Sequence, residues 1–198
     1  MKYDWKIIKH QLAYDGYFQI EKYHLQHEKY GGGWTATFQR EIFERGSAVA
    51  VLPYDAQRDE VLLIEQFRAG GIGTLQTPWM KEIVAGIIEP GESEVDVAHR
   101  EMREEAGLKI LQLEKITQIY VSPGGSTEQC AIYCARVNSE GAGGIFGLAH
   151  EFEDIKVEAV SVDQASEWLN QGRLQSAATI IAMQWLLLNR QRLRAEWC

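Results

Sequence analysis

The 198-residue chain is short of cysteine, of positive charge and of long apolar runs, and each shortage excludes something. Its three cysteines, Cys130, Cys134 and Cys198, are odd in number and show no CxxC spacing. A disulfide framework is therefore not expected, and reduced thiols fit a cytosol. Lysine and arginine number 20 against 28 aspartates and glutamates, a net charge of −8. Such a chain is a poor candidate for gripping a nucleic-acid backbone or an anionic membrane by bulk electrostatics. A phosphate-bearing ligand is still accessible to it where a metal cation stands between. The longest uncharged stretch, Leu174–Asn189, includes Gln175, Ser176, Gln184 and Asn189 and falls short of the ~20 apolar residues a membrane span needs. It reads as a buried helix. The opening residues Met1-Lys-Tyr-Asp-Trp-Lys carry an acid and no apolar core, so no signal peptide is expected and the expected location is cytoplasmic. Internal repeats and low-complexity tracts are also missing.

What is present divides in two. Residues 1–45 are expected to form a β-rich extension: Phe18, Ile20, Tyr23 and Leu25 alternate with polar residues, Gly31-Gly32-Gly33 turns the chain, and Trp34–Phe43 alternates again, a hairpin pattern. Residues 46–198 show apolar runs broken by turns, at Ala48–Leu52, Val61–Phe67, Ile83–Ile88, Ile116–Val121, Ala131–Val137 and Ile155–Val162, which read as buried strands. One helix stands between them, capped by Ser93 with Asp96 three residues on and ended by Gly107, with Val95, Ala98, Met102 and Ala106 as its core stripe. Ser161/Gln164 opens a second helix that ends at Gly172, and Ser176 opens a third that runs to about Arg194. This order predicts an α/β or α+β sandwich. His24-x-x-His27 has metal-like spacing, but three positions apart on an alternating strand places the two on opposite faces.

The first helix poses a physical puzzle. Glu101, Glu104 and Glu105 lie within one turn, and a like-charged i,i+4 pair such as Glu101/Glu105 destabilises a helix by roughly 0.2–0.5 kcal/mol. These two lie beside the apolar stripe, near low dielectric, where carboxylates must protonate or bind a cation. Hard oxygen donors in that number suit Mg²⁺ or Mn²⁺.

The segment Gly86–Leu108 resembles the Nudix box, G-x5-E-x7-R-E-U-x-E-E-x-G-U with U a bulky aliphatic residue. Gly86, Glu92, Arg100, Glu101, Met102, Glu104, Glu105, Gly107 and Leu108 fill every specified position. The resemblance implies a Nudix α/β/α sandwich with a mixed sheet that hydrolyses a nucleoside diphosphate linked to another group. Carried over by position, Ala85 (through its carbonyl), Glu101 and Glu105 ligate the metal and Glu104 sits beside them. Glu92 and Arg100 hold the loop as a charge-assisted pair, and Gly86 and Gly107 are structural.

Flanking segments resemble the ADP-ribose pyrophosphatase subgroup of the family. Pro123 lies sixteen residues after Gly107, and His150-Glu-Phe-Glu-Asp154 follows a glycine-rich stretch expected to be mobile. In an extended loop Glu151 and Glu153 point the same way. The resemblance makes Glu153 a metal ligand and Glu151 the base on the water, with the reverse assignment still open. It also makes Arg40, Arg45 and Arg68 candidates for adenosine and pyrophosphate, and Glu128 for the terminal ribose. The N-terminal extension resembles the subgroup's dimerising β-element, whose aromatics, Tyr17 and Phe18 among them, either cover adenine or pack. The implied substrate is ADP-ribose, cleaved to AMP and ribose 5-phosphate by a Mg²⁺-dependent homodimer. Another nucleotide sugar such as GDP-mannose, or a nucleotide-binding sensor without catalysis, are the alternatives at this point.

Overall fold

The structure, a computed structural model, describes residues 3–73 and 76–198. The chain divides into two compact units: one takes the chain up to Ser47 plus Tyr120–Gln129, the other Ala48–Ile119 plus Cys130–Cys198.

In the first unit, β1 (Trp5–Asp15), β2 (Gln19–His27) and β3 (Phe38–Glu44) form an antiparallel sheet in that order. The expected hairpin is β2–β3, in register from Gln19↔Glu44 to Leu25↔Phe38. Its turn is set by Gly32 and Gly33, at φ +88° and +73°, conformations that only glycine takes without strain. Strand β1 was not expected. Two bulges, between Ile7 and Lys9 and between Leu12 and Tyr14, break the period of two by which a strand is recognised. The Pro123 turn belongs to this unit as well: Phe43 N–H donates to Gly125 O at 2.8 Å and Ser126 Oγ donates to Phe43 O at 3.1 Å.

The second unit is built on a mixed sheet. β4 (Ala48–Asp55), β5 (Glu60–Phe67), β6 (Trp79–Glu82), β7 (Val84–Ile87), β8 (Gln112–Tyr120), β9 (Gln129–Arg136), β10 (Gly144–Phe146) and β11 (Ile155–Ser161) contribute to it. Its order is β10-β11-β5-β4-β9-β8, with β6 on β5 and β7 on β4. β4 and β9 run parallel, whereas β5 and β7 pair with β4 antiparallel.

The central strands are apolar on both faces because both faces are covered. Val49, Val51, Leu62, Ile64, Ala131 and Tyr133 pack with Val97, Ala98, Met102 and Ala106 of helix α1 (Glu94–Glu104) and the turn after it. Ala50, Leu52, Tyr54, Leu63, Ile132 and Cys134 pack with α2 (Val162–Asn170) and α3 (Ala177–Trp197) on the other side. Helix, sheet, helix: this is the α/β/α sandwich.

Four sequence expectations need correction. Val95 is 46% exposed, because it stands to the side of the buried row, which begins at Val97 and includes Ala98, Glu101 and Met102. The run Ile83–Ile88 is two strands. Ile83 N–H leaves the ladder and donates to Thr179 Oγ1 of α3 at 3.0 Å. Helix α3 continues to Trp197, a buried anchor in the core. Within the glycine-rich stretch, Gly144–Phe146 pair as a strand with β11. No disulfide joins the three cysteines, and Cys130 and Cys134 are buried. Among the described residues no helix is long and apolar enough to cross a membrane.

Candidate active site

The capping box at the start of α1 is reciprocal. Asp96 N–H donates to Ser93 Oγ at 3.2 Å, and Ser93 N–H donates to Asp96 Oδ2 at 3.3 Å. At the other end Gly107 takes φ +65° and its N–H reaches Arg103 O at 3.1 Å. A Cβ there would also stand 2.4 Å from the Phe146 ring. The helix is thus fixed at both ends before its acids are considered.

Those acids face inward. Glu101 is 9% exposed and Glu105 2%. Glu105 Oε2 accepts Ala85 N–H at 2.9 Å. A Cβ at position 86 would lie 1.6 Å from Glu101 Oε1, so Gly86 is required for the carboxylate to lie against β7. Burial pushes Glu105 up to about 8; the Ala85 N–H opposes this, the charges of Glu101 and Glu153 add to it, and Arg68 opposes it. Burial raises Glu101 as well, against the pull of Arg100, and the charges of Glu104 and Glu153 push the same way as burial. The structure therefore brings Glu101, Glu105 and Glu153 within electrostatic reach of one another, with Glu104 beside Glu101.

Arg100 organises the rim. It donates to both oxygens of Glu92 at 2.9 Å, to Glu101 Oε1 at 2.6 Å, to Ile87 O at 3.2 Å, and more loosely to Glu104 at 3.4 Å. Glu92 also accepts Glu89 N–H at 3.1 Å. The loop before α1 is closed onto the helix by this forked pair.

The segment after β10 does not run extended. Ala149–Glu151 make a single 3-10 turn and Phe152 is left-handed at φ +59° and 96% exposed. The extended backbone on which a shared direction of Glu151 and Glu153 was expected is absent here, and alternation belongs to extended backbone only. Glu153 Oε2 accepts Leu148 N–H at 3.1 Å. Glu151 stands at the surface with His150 Nε2 3.6 Å away. Gly147 N–H ties the segment to Glu104 O at 3.3 Å.

Among the described residues no three His, Cys, Asp or Glu side chains already stand as a metal-holding group. The geometry shows why: Glu101 has turned to Arg100 and Glu153 to a backbone N–H. The donor set nevertheless fits a hard divalent cation, since its three carboxylates are hard oxygen donors, two of them are buried, and only part of their charge is met.

The substrate candidates fall into two groups. Arg68 is in the second unit, where its Nε meets Glu82 at 2.6 Å; no motif had singled out Glu82. Arg45, Glu128, Phe18 and Tyr17 gather in the first unit. Arg45 Nη1 is 3.5 Å from Glu128 Oε1, and its guanidinium lies over the Phe18 ring at 5.6 Å. Phe18 meets Phe43 at 5.0 Å and Tyr17 at 4.7 Å, with Tyr17 itself exposed. Arg40 stands apart from them, on Gln39 O and the Phe38 ring.

A buried carboxylate shelf on an α/β/α sandwich is the mark of a cation-assisted hydrolase scaffold, and comparison with known proteins agrees. The NUDIX domain matches residues 44–182. The ADP-ribose pyrophosphatase of Escherichia coli K12 is 45% identical over 196 residues, 99% of this chain and 94% of that one. That of Haemophilus influenzae is 38% identical over 98% of this chain and 91% of its own. A GDP-mannose pyrophosphatase of Shigella flexneri is 28% identical over 92% of this chain and 95% of its own. A crystal structure of an ADP compounds hydrolase, 20% identical, shares the fold at a TM-score of 0.71 over 97% of this chain and 95% of that one. The chain belongs to the NUDIX family.

Proposed function

We propose that the chain is a divalent-cation-dependent pyrophosphatase that hydrolyses ADP-ribose to AMP and ribose 5-phosphate, with Mg²⁺ as the working cation and Mn²⁺ as a substitute. The observation that carries the chemistry is the buried pair Glu101/Glu105 at β7, Glu101 pressed against Gly86 and Glu105 on Ala85 N–H, with Arg100 on Glu101 as the pair's one ion-pair partner among the described residues. The relatives carry the substrate, because similarity to ADP-ribose pyrophosphatases at 45% and 38% identity exceeds that to a GDP-mannose pyrophosphatase at 28%.

In this reading the Ala85 carbonyl, Glu101, Glu105 and Glu153 hold the cation. When bound, it neutralises charge on the diphosphate and makes water a better nucleophile. Glu151 takes the proton of the attacking water. The water oxygen forms a bond to one phosphorus as the bridging P–O bond breaks, leaving AMP and ribose 5-phosphate. The reach of the Glu153 charge to both Glu101 and Glu105 supports Glu153 as ligand and leaves Glu151 for the base. Arg100 orients Glu101 and keeps the loop closed through Glu92. Arg68, Arg40, Arg45, Glu128, Tyr17 and Phe18 are the candidates for substrate binding.

Residues 1–45 act as a dimerisation element and 46–198 as the hydrolase domain. The exposure of Trp5, Ile7, Leu12 and Tyr14 along β1 supports a homodimer, because apolar side chains in a row on one strand seek cover. Three cysteines that form no disulfide support a cytoplasmic location.

Purified protein incubated with ADP-ribose and Mg²⁺ is expected to yield AMP and ribose 5-phosphate, and chelation to stop the reaction. Absence of AMP at micromolar enzyme overturns the reading. In a substrate panel kcat/KM is expected to be higher for ADP-ribose than for GDP-mannose, since specificity is a ratio of those values.

A further inference from the structure

Strand β5 sends Leu62 and Ile64 into the core beneath α1. The next residue on that face is Gln66, 6% exposed, and its Nε2 has no acceptor among the described residues. Its cross-strand neighbour is Met80, whose thioether is a weak acceptor at best. An unmet buried donor destabilises a fold, and an apolar residue of the same size avoids that cost. Gln66 is therefore an expensive choice for a core strand unless something completes it.

The same face shows what is at hand. Arg68 is still extended, at φ −121° and ψ 109°, and its N–H donates to Pro78 O at 2.8 Å. It thus stands on the side of Gln66, about 7 Å further along the strand. Arg68 uses Nε on Glu82, its charge reaches Glu105, and its two Nη groups meet no carboxylate among the described residues. The nearby acids are occupied, Glu82 by Arg68 and Glu105 Oε2 by Ala85 N–H. What the face offers is one buried amide donor short of an acceptor and, beside the carboxylate shelf, a partly exposed guanidinium held at Nε by Glu82.

We propose that Gln66 is a substrate-binding residue whose carboxamide N–H donates to a non-bridging oxygen of the nucleotide's diphosphate, alongside the Arg68 guanidinium. This rests on the pyrophosphatase reading. The bound diphosphate supplies the acceptor that the fold withholds, so a residue costly to the empty protein becomes favourable in the complex.

The test compares Gln66→Leu and Gln66→Met with wild type by thermal unfolding without nucleotide, by calorimetric binding of ADP in the presence of Mg²⁺, and by kinetics on ADP-ribose. Removing an amide that serves only the ligand leaves Tm unchanged or raises it. The Kd for ADP and the KM for ADP-ribose rise about tenfold or more, with kcat within about threefold of wild type. ADP affinity within about twofold of wild type in both variants overturns the proposal. So does a Tm lowered by several degrees, or loss of folding, in both, since the amide would then serve the fold; Gln66→Met carries the test if only Gln66→Leu fails to fold. Hydrolysis of ADP-ribose by wild type decides the pyrophosphatase reading on its own. ADP binding decides Gln66 whether or not ADP-ribose is cleaved, and a wild-type protein that binds no ADP overturns it.

Discussion

Two sites in the same unit, one at the half-buried Asp59 and one at the buried Glu101 and Glu105, treat their acids in opposite ways. Asp59, in the turn between β4 and β5, is surrounded by donors: Arg190 Nε at 3.0 Å with its Nη2 closer still, Arg194 Nη1 at 3.1 Å, and the Tyr54 hydroxyl at 2.8 Å. Burial alone raises its pKa, but those hydrogen bonds and the two arginine charges outweigh burial and hold the carboxyl below the usual range. Glu105 receives one backbone N–H, and burial carries it up to about 8. The fold thus closes its own account at Asp59, where the acid ties α3 to a turn. Glu101 has Arg100 on Oε1, Glu105 has no ion pair at all among the described residues, and burial prevails at both; the proposed cation is what would complete the pair. Compensation within the chain marks the structural acid, and its absence marks the functional one.

The largest expected effect that sharpens this contrast is on turnover. Glu105→Gln removes a ligand and a charge together, so kcat is expected to fall at least about a hundredfold, beyond the cost usual for residues that merely support ligands. The cation-free protein should unfold at an equal or higher temperature than wild type, because a buried charge has gone. Near-normal turnover in that variant breaks the ligand assignment. At the other acid the pattern reverses. Asp59→Ala leaves Arg194 without its carboxylate and Arg190 with Asp163 alone, and partial exposure reduces the cost of a broken buried pair to about 2 kcal/mol. That corresponds to roughly 4–8 °C in Tm for a unit of this size. Activity per folded molecule is expected to be unchanged; thermal unfolding alongside kinetics checks both halves.

A smaller effect appears in pH dependence. With chelator present, Glu105 holds its proton more tightly when folded than when unfolded. Its pKa is 4.5 unfolded against about 8 folded, so stability falls as pH rises through that interval. Asp59 has the opposite sign: its contribution is complete above the unfolded pKa and is lost as pH falls through the depressed folded value. In chelator, Tm is therefore expected to decline between about pH 5 and 8, and Glu105→Gln to flatten that decline. A Tm in chelator that rises with pH over the same interval contradicts the assignment.

How much of this was legible beforehand depends on the range of each interaction. The cap at Ser93, the stop at Gly107 and the glutamates between them are local, and so could be read along the chain. Strand β1 was hidden by its two bulges. The three residues of β10 sit among glycines, which carry little strand character. The left-handed Phe152 has no sequence signature, so the departure from extended backbone between Glu151 and Glu153 could not be read along the chain. The Asp59–Arg190 cluster joins residues 131 apart, beyond any periodicity. Gln66 is visible only as one polar residue in an apolar run; that its amide lacks a partner is a fact of packing.

The most direct test of the central claim is calorimetric titration of the substrate-free protein with Mg²⁺ near neutral pH, repeated with Glu105→Gln and Asp59→Ala. Saturable binding is expected in wild type and in Asp59→Ala, with release of protons as Glu105 ionises, and loss of that binding in Glu105→Gln. Equal Mg²⁺ binding by wild type and Glu105→Gln would contradict the claim that the unmet charge at Glu101 and Glu105 is where the cation goes.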